Sequence, residues 1–435
     1  MKIFSFLAGL LFIFLLSTYF YSHKTILVKP LIFDECDYIK ASHKGIVANA
    51  IGENTLSFNE FLQMGYYKFY KDSASLANMA KNLPEWNENV FMLRHYHPPL
   101  PVYYWNLFLA DDVFSQDYLL RISNLILLLL FIVVFLYTVL LYFKERIFSN
   151  SWAWAFIVAG ALMSSNLFIH CFSSLNNHNF VAFFSLLFIF SLTNYLKNDS
   201  GKNLILFSLS ISGLLLTLES SLFLLLGAII AIFLLKLLKT FRRGKIMQII
   251  SIAFTATILL WPAFIIKGEF LKSIGMYFFR IFGKANIEYQ EVSYFKGWME
   301  IIVDSPFLFF TLAGTSIISI INYVKTKDKI ILLPHLIGII YAVIMTPFIL
   351  NHTYILPAVT ILCYAGTINM ISFSFKYKPL VGMGVIIFGL FSFFFQNPLY
   401  TLFNPLNYFQ ARESFLNELN IVDSLGQDDN QVLAL

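Results

Sequence analysis

The sequence predicts an all-α polytopic membrane protein, and three observations carry that prediction. Hydrophobic residues make up 58% of the chain and charged residues only 13%, against roughly 45–50% apolar and 25% charged in soluble domains. Apolar runs near twenty residues long recur from one end to the other, as a bilayer core about 30 Å thick demands of each crossing helix. Among the short connecting segments, Lys and Arg are confined to alternate ones, the signature of the positive-inside rule, which long loops do not obey.

Taken in order, the runs place spans at 3–21, 119–143, 152–172, 180–196, 203–218, 221–238, 246–266, 305–324, 329–349, 353–373 and 379–396. The first has the length of a signal peptide, but no small-x-small cleavage site follows it. The next residues read STYFYSHK, so it is expected to stay as an anchor. The run 203–238 needs a decision, because one helix of 36 residues would measure about 54 Å, far more than the bilayer requires. A break at Glu219-Ser220-Ser221 is therefore expected.

Charge tests that break. With the amino terminus inside, the cytoplasmic segments hold Lys2; Lys144 and Arg146; Lys197 and Lys202; then Lys236, Lys239, Arg242, Arg243 and Lys245. Lys325, Lys327 and Lys329, and finally Lys376 and Lys378, complete the set. The short outer loops 173–179, 219–220 and 350–352 carry no Lys or Arg. A single helix over 203–238 would put either the Lys197/Lys202 pair or the five-charge cluster outside, against the rule. The net charge of +5 is thus a topology signal and gives no reason to expect a nucleic-acid partner.

The 49 phenylalanines fit lipid-facing positions and receive no functional weight. With Lys and Asn also abundant, they suggest an AT-rich genome. Cys36, Cys171 and Cys363 show no CxxC pattern and are too scattered for a zinc site, leaving at most a Cys36–Cys171 bridge.

Residues 1–396 form the expected membrane module. Two outer segments, 22–118 and 267–304, exceed mere connectors, and chemistry concentrates in such loops. Within the first, DECDYIKASHKGIVANAI and NEFLQMGYYKFYKDSASLANMAKNL have helical spacing with apolar faces, expected to lie along the membrane surface. Residues 397–435 are expected to form a short outer carboxyl-terminal segment, read as a shortened domain or as a chain that stops before one is complete.

Asp34-Glu35 opens the first surface helix about a dozen residues past the membrane, and alone it reads as a helix cap. Leu93 to Trp105, LRHYHPPLPVYYW, cannot sit inside a spanning helix because its prolines lack amide protons. It can bring cations and a rigid turn back to the same membrane face as the acids.

FDECDYI after the first span, HPPLPVYYW late in the first outer loop and LLRISNLILLLLFIVVFLYTVLLY opening the second span resemble the GT-C superfamily of membrane glycosyltransferases. YILPAV at 354–359 resembles a late-helix element of the same group. The likeness is to glycosyltransferase family 39 and its relatives, the protein O-mannosyltransferases and lipid A aminoarabinose transferases, loosely over residues 1–375.

The resemblance implies a GT-C fold and transfer of a sugar from a polyprenyl-phosphate donor to a lipid, glycan or protein acceptor. The site would face the outer side of the plasma membrane, which in a bacterium is the inner membrane. It maps the catalytic base onto Asp34, with Glu35 as an acceptor-orienting partner or simply a helix residue. Arg94 and Arg280 become candidates to grip the carrier phosphate, since a guanidinium is permanently charged, and Tyr103 to line the sugar pocket. His97 stands where these relatives often have a phosphate-facing lysine. His95 and His97 share one side of an extended segment and, with an acid, can hold a divalent ion. No other cofactor is implied.

The chain departs from the family where Asp37 replaces a frequent arginine and where Asn176, Asn177 and His178 replace an acid. Glu219 occupies a frequent lysine position, and at the outer turn it reads first as solvated, with acceptor binding as the alternative. A lipid or solute transporter or flippase is the competing class, with related halves and midplane charges as its marks. No internal repeat supports it. A polymerase or ligase with a diphosphate-linked donor would more naturally place its large loop late in the chain.

Overall fold

The computed structural model describes residues 8–9, 12, 38, 41–53, 57, 98–109, 113–143, 151–163, 165–173, 175–272, 274, 305–345, 352–373 and 378–395. Among them every regular element is helical. In chain order these are α1 (Ile46–Ile51), α2 (Leu100–Asn106), α3 (Val113–Phe143), α4 (Ser151–Met163) and α5 (Asn166–Ser173). Then come α6 (Asn177–Lys197), α7 (Gly201–Leu215), α8 (Ser221–Leu234), α9 (Arg243–Leu260) and α10 (Ala263–Ile266). The last are α11 (Pro306–Thr326), α12 (Lys329–Met345), α13 (Leu356–Ser372) and α14 (Lys378–Phe395).

Four helices are long and apolar enough to cross a bilayer: α6, α9, α11 and the Ile122–Val139 stretch of α3. The shorter apolar helices pack with them, and the chain is a membrane protein. α6 is 78% buried in the bundle, whereas α9 is 17% buried and presents its surface outward.

Local chemistry sets the helix ends. The break expected near Glu219 is present: α7 ends at Leu215, residues 216–220 turn, and α8 starts at Ser221. Two expected spans are each divided. In 152–172, Ser165 stops one helix and caps the next, its hydroxyl accepting from the Phe168 amide at 3.2 Å. In 246–266, Pro262 pushes Trp261 out of the helical region, to φ −141° and ψ 73°, ending α9 before α10. The surface run at 34–51 is also interrupted, because Gly45 takes φ 88°, a conformation that favours glycine. The 59–83 surface helix lies outside the described residues.

Every residue of α13 from Leu356 to Met370 is buried, and the helix packs against α3, α4, α6, α11 and α12. Small residues permit that closeness. Gly366 meets α11 where an added Cβ would lie 2.6 Å from Thr315 Cβ, and Gly338 of α12 meets Leu362 in the same way at 2.9 Å. Hydrogen bonds between side chains join the helices further. Ser191 and Ser210 link α6 to α7 at 2.8 Å, Ser212 and Thr257 link α7 to α9 at 3.0 Å, and Asn322 donates to Asn369 at 3.0 Å. In lipid such bonds contribute about 0.6 kcal/mol each on average. Cys171 and Cys363 are buried, and Cys36 lies outside the described residues.

The helix ends sort into two groups. At one end Tyr195 and Phe241 pack with tilted rings, their centroids 5.5 Å apart, and Lys325 lies over Phe373 at 4.6 Å. Lys236, Lys239, Arg242 and Lys327 lie in the described connectors of this end. At the other end α2 joins the start of α3 and α6, the α7–α8 turn and the end of α9.

Replacing Gly366 by Ala should destabilise the protein by about 1–3 kcal/mol, because Thr315 cannot withdraw its Cβ. A Thr315→Gly companion should recover much of the loss. Thermal unfolding of the detergent-solubilised single and double variants measures both; additive losses would contradict the contact.

Candidate functional site

The site is built around α2, a helix of 7 residues that contacts five separate parts of the chain. Pro98 and Pro99 are buried. Pro101 occupies the first turn of α2, where its missing amide costs no helical bond. The sequence reading did not include the helix that follows these prolines, and residues 93–97 lie outside the described residues.

The Leu100 amide, unpaired within α2 because it begins that helix, donates to the carbonyl of Leu216 at 3.0 Å. Leu216 caps α7, so its carbonyl is likewise unpaired within its own helix. One bond satisfies two end groups that burial would otherwise penalise. Tyr103 repeats the device, its hydroxyl donating at 2.7 Å to the carbonyl of Leu260, the last residue of α9.

The remaining side chains face other neighbours. The Tyr104 hydroxyl donates to the Ser123 carbonyl at 2.7 Å, Trp105 Nε1 to Asn124 Oδ1 at 3.4 Å and Asn106 Nδ2 to the Ser42 carbonyl at 2.7 Å. Trp105 is fully buried, with ring centroids 4.9 Å from Tyr38 and 5.6 Å from Phe180. Burial pushes the Tyr104 phenol up to about 12 from 10.0, and raises that of Tyr103 as well. The neutral donors therefore persist through the physiological range. Their stabilisation is complete below pH 10 and, for Tyr104, is lost as pH climbs through about 12.

Beside α2 lies a cavity of about 40 Å³, bounded by Tyr38, Lys44, Asn49, Pro99, Trp261 and Glu269. At roughly 10–15 Å³ per water this admits a few waters and no sugar. Glu269 is buried and accepts from Lys272 Nζ at 2.8 Å, and Lys272 is wholly buried. Sequence reading missed this pair because Glu and Lys three apart normally mark a solvated helix face. Only the fold reveals that both charges leave water together, which pairing makes tolerable.

A second polar group lies where α6 begins. Asn176 accepts from the His178 amide at 2.9 Å, and the His178 ring meets Tyr354 edge-on at 4.4 Å. Tyr341 donates to the Tyr354 carbonyl at 3.2 Å. Glu219 is buried, which corrects its reading as a solvated turn residue.

Of the residues expected from sequence to form the site, Tyr103 is described, and its hydroxyl is engaged with Leu260. Asp34, Glu35, Arg94, His95, His97 and Arg280 lie outside the described residues. Among the described residues no group of three or more His, Cys, Asp or Glu side chains is arranged to hold a metal ion. No family model, curated protein or solved structure matches the chain.

Trp105→Ala should cost about 3–5 kcal/mol as a buried aromatic truncation. Tyr103→Phe should cost about 1 kcal/mol, the net value of one hydrogen bond. Denaturant unfolding of both variants checks the ratio; equal small losses would deny α2 its organising role.

Proposed function

We propose that the chain is a glycosyltransferase that moves a sugar from a polyprenyl-phosphate donor to a lipid, glycan or protein acceptor. One observation carries the reading most directly. Pro99, from the Pro98-Pro99 element, and Tyr38, four residues beyond Asp34, border one small cavity of water size at the helix ends opposite the lysine-rich connectors. Two segments far apart in sequence, each singled out for its chemistry, thus converge on one wall.

In this reading the architecture is GT-C type with about eleven spans, the amino terminus cytoplasmic and the site on the outer face of a plasma membrane. Asp34 takes the proton of the acceptor hydroxyl as the acceptor oxygen bonds to the anomeric carbon. The bond from that carbon to the carrier phosphate breaks, and Arg94, Arg280 and His97 meet the charge that grows on the leaving phosphate. A single displacement inverts the anomeric centre. Glu35 orients the acceptor and Tyr103 borders the sugar. Direct transfer needs no cofactor; an ion at His95 and His97 would add to phosphate neutralisation.

Asp34→Asn should abolish transfer from a polyprenyl-phosphate sugar in reconstituted vesicles while leaving membrane insertion and carrier binding intact. Turnover near that of the parent would remove Asp34 as the base. Single cysteines placed near His97 and Arg280 should react with an impermeant maleimide from outside, and one near Arg242 should not. The reverse pattern would overturn the orientation.

A further inference from the structure

The lysine-rich side of the bundle carries a groove that the proposed transfer chemistry does not use. It runs between α7 and α9, has a volume of about 560 Å³ and is lined by Gly201, Leu204, Ile205, Lys245, Gln248 and Ser251, with others. That volume falls in the range of about 300–1,000 Å³ typical of sites for small ligands. Farther along, Ser212 and Thr257 hold the two helices together. Near the lysine-rich end the mouth stays open, since a Cβ added at Gly201 would meet nothing within 4 Å.

The groove pairs a polar row with apolar walls. Lys245, Gln248 and Ser251 follow one another at three-residue spacing on one face of α9, rising about 9 Å along its axis. Leu204 and Ile205 of α7, with Met247 and Ile252 of α9, supply the apolar walls beside them. A cation and neutral polar groups thus lie beside hydrocarbon, the combination that a glycerophospholipid's phosphate, esters and acyl chain require. The rim is basic: Lys202, Arg242 and Arg243 are exposed there, with Asp199 the acid between Lys197 and Lys202 in sequence. Ile205 and Met247 are exposed on the walls, 50% and 62% accessible, leaving apolar surface for a chain to cover.

We infer that this groove binds an anionic glycerophospholipid, its phosphate at Lys245 and an acyl chain between α7 and α9. The inference rests on the membrane setting of the bundle and is independent of glycosyl transfer. Charge complementarity selects the occupant, because a juxtamembrane cation favours anionic over zwitterionic headgroups.

Native mass spectrometry of the full chain in detergent, titrated with phosphatidylglycerol or phosphatidylcholine of identical acyl chains, tests it. Phosphatidylglycerol should be retained about fivefold better, the selectivity one lysine near the surface provides. Lys245→Gln should bring it down to the phosphatidylcholine level, and Lys245→Arg should keep the preference. Ile205→Trp, which fills the groove, should reduce retention of both lipids. Equal retention of the two lipids by the parent chain would overturn the inference. So would lipid binding that neither Lys245→Gln nor Ile205→Trp changes, or displacement of the lipid by excess inorganic phosphate.

Discussion

The hydrogen bond from the Leu100 amide to the Leu216 carbonyl is the constraint on which the described site depends. Helix ends inside a bundle are expensive because each leaves donors or acceptors without internal partners, and lipid supplies none. Here the open start of α2 is joined to the open end of α7, and the Tyr103 hydroxyl closes the end of α9. A helix too short to be stable alone is fixed in place by the needs of its longer neighbours. Their ends are in turn fixed by it, so the prolines before α2, Ser42 and the α7–α8 turn share one location.

Around that location the protein is held by fit more than by force. Hydrophobic association is weak inside a bilayer, where the surroundings are as apolar as the side chains. α13 therefore gathers its neighbours through close backbone approach at Gly366 and through single polar contacts such as Asn322 to Asn369. α9, mostly outward-facing, is attached by comparatively few devices: the Ser212–Thr257 bond, the Tyr103 bond at its end and its packing on α7. The groove exists because those attachments leave the Lys245 end of the α7–α9 seam unfilled.

The helical, membrane-spanning character of the chain was legible from sequence, since apolar length reports directly on bilayer thickness. The break in 203–238 followed from length alone and is present at residues 216–220. What escaped were features decided by single residues acting against the apolar pattern. Ser165 and Pro262 divide runs that hydropathy reads as continuous. α2 escaped because three prolines in five residues argue against a helix unless one of them falls in its first turn. The buried Glu269–Lys272 pair and the burial of Glu219 depend on which surfaces meet, and sequence spacing carries no information about that.

The position of α13 along the chain bears on how the protein is made. The helix that fills the centre of the bundle is encoded after most of the helices that surround it. At translation rates of roughly 5–20 residues per second, the ribosome needs roughly 10–40 s to pass from the end of α3 at Phe143 to the start of α13 at Leu356. During that interval the early helices reside in the bilayer without their common partner. The nascent bundle therefore waits, loosely associated, for its own axis to emerge, a period in which a membrane chaperone or a misplaced neighbour has its best access.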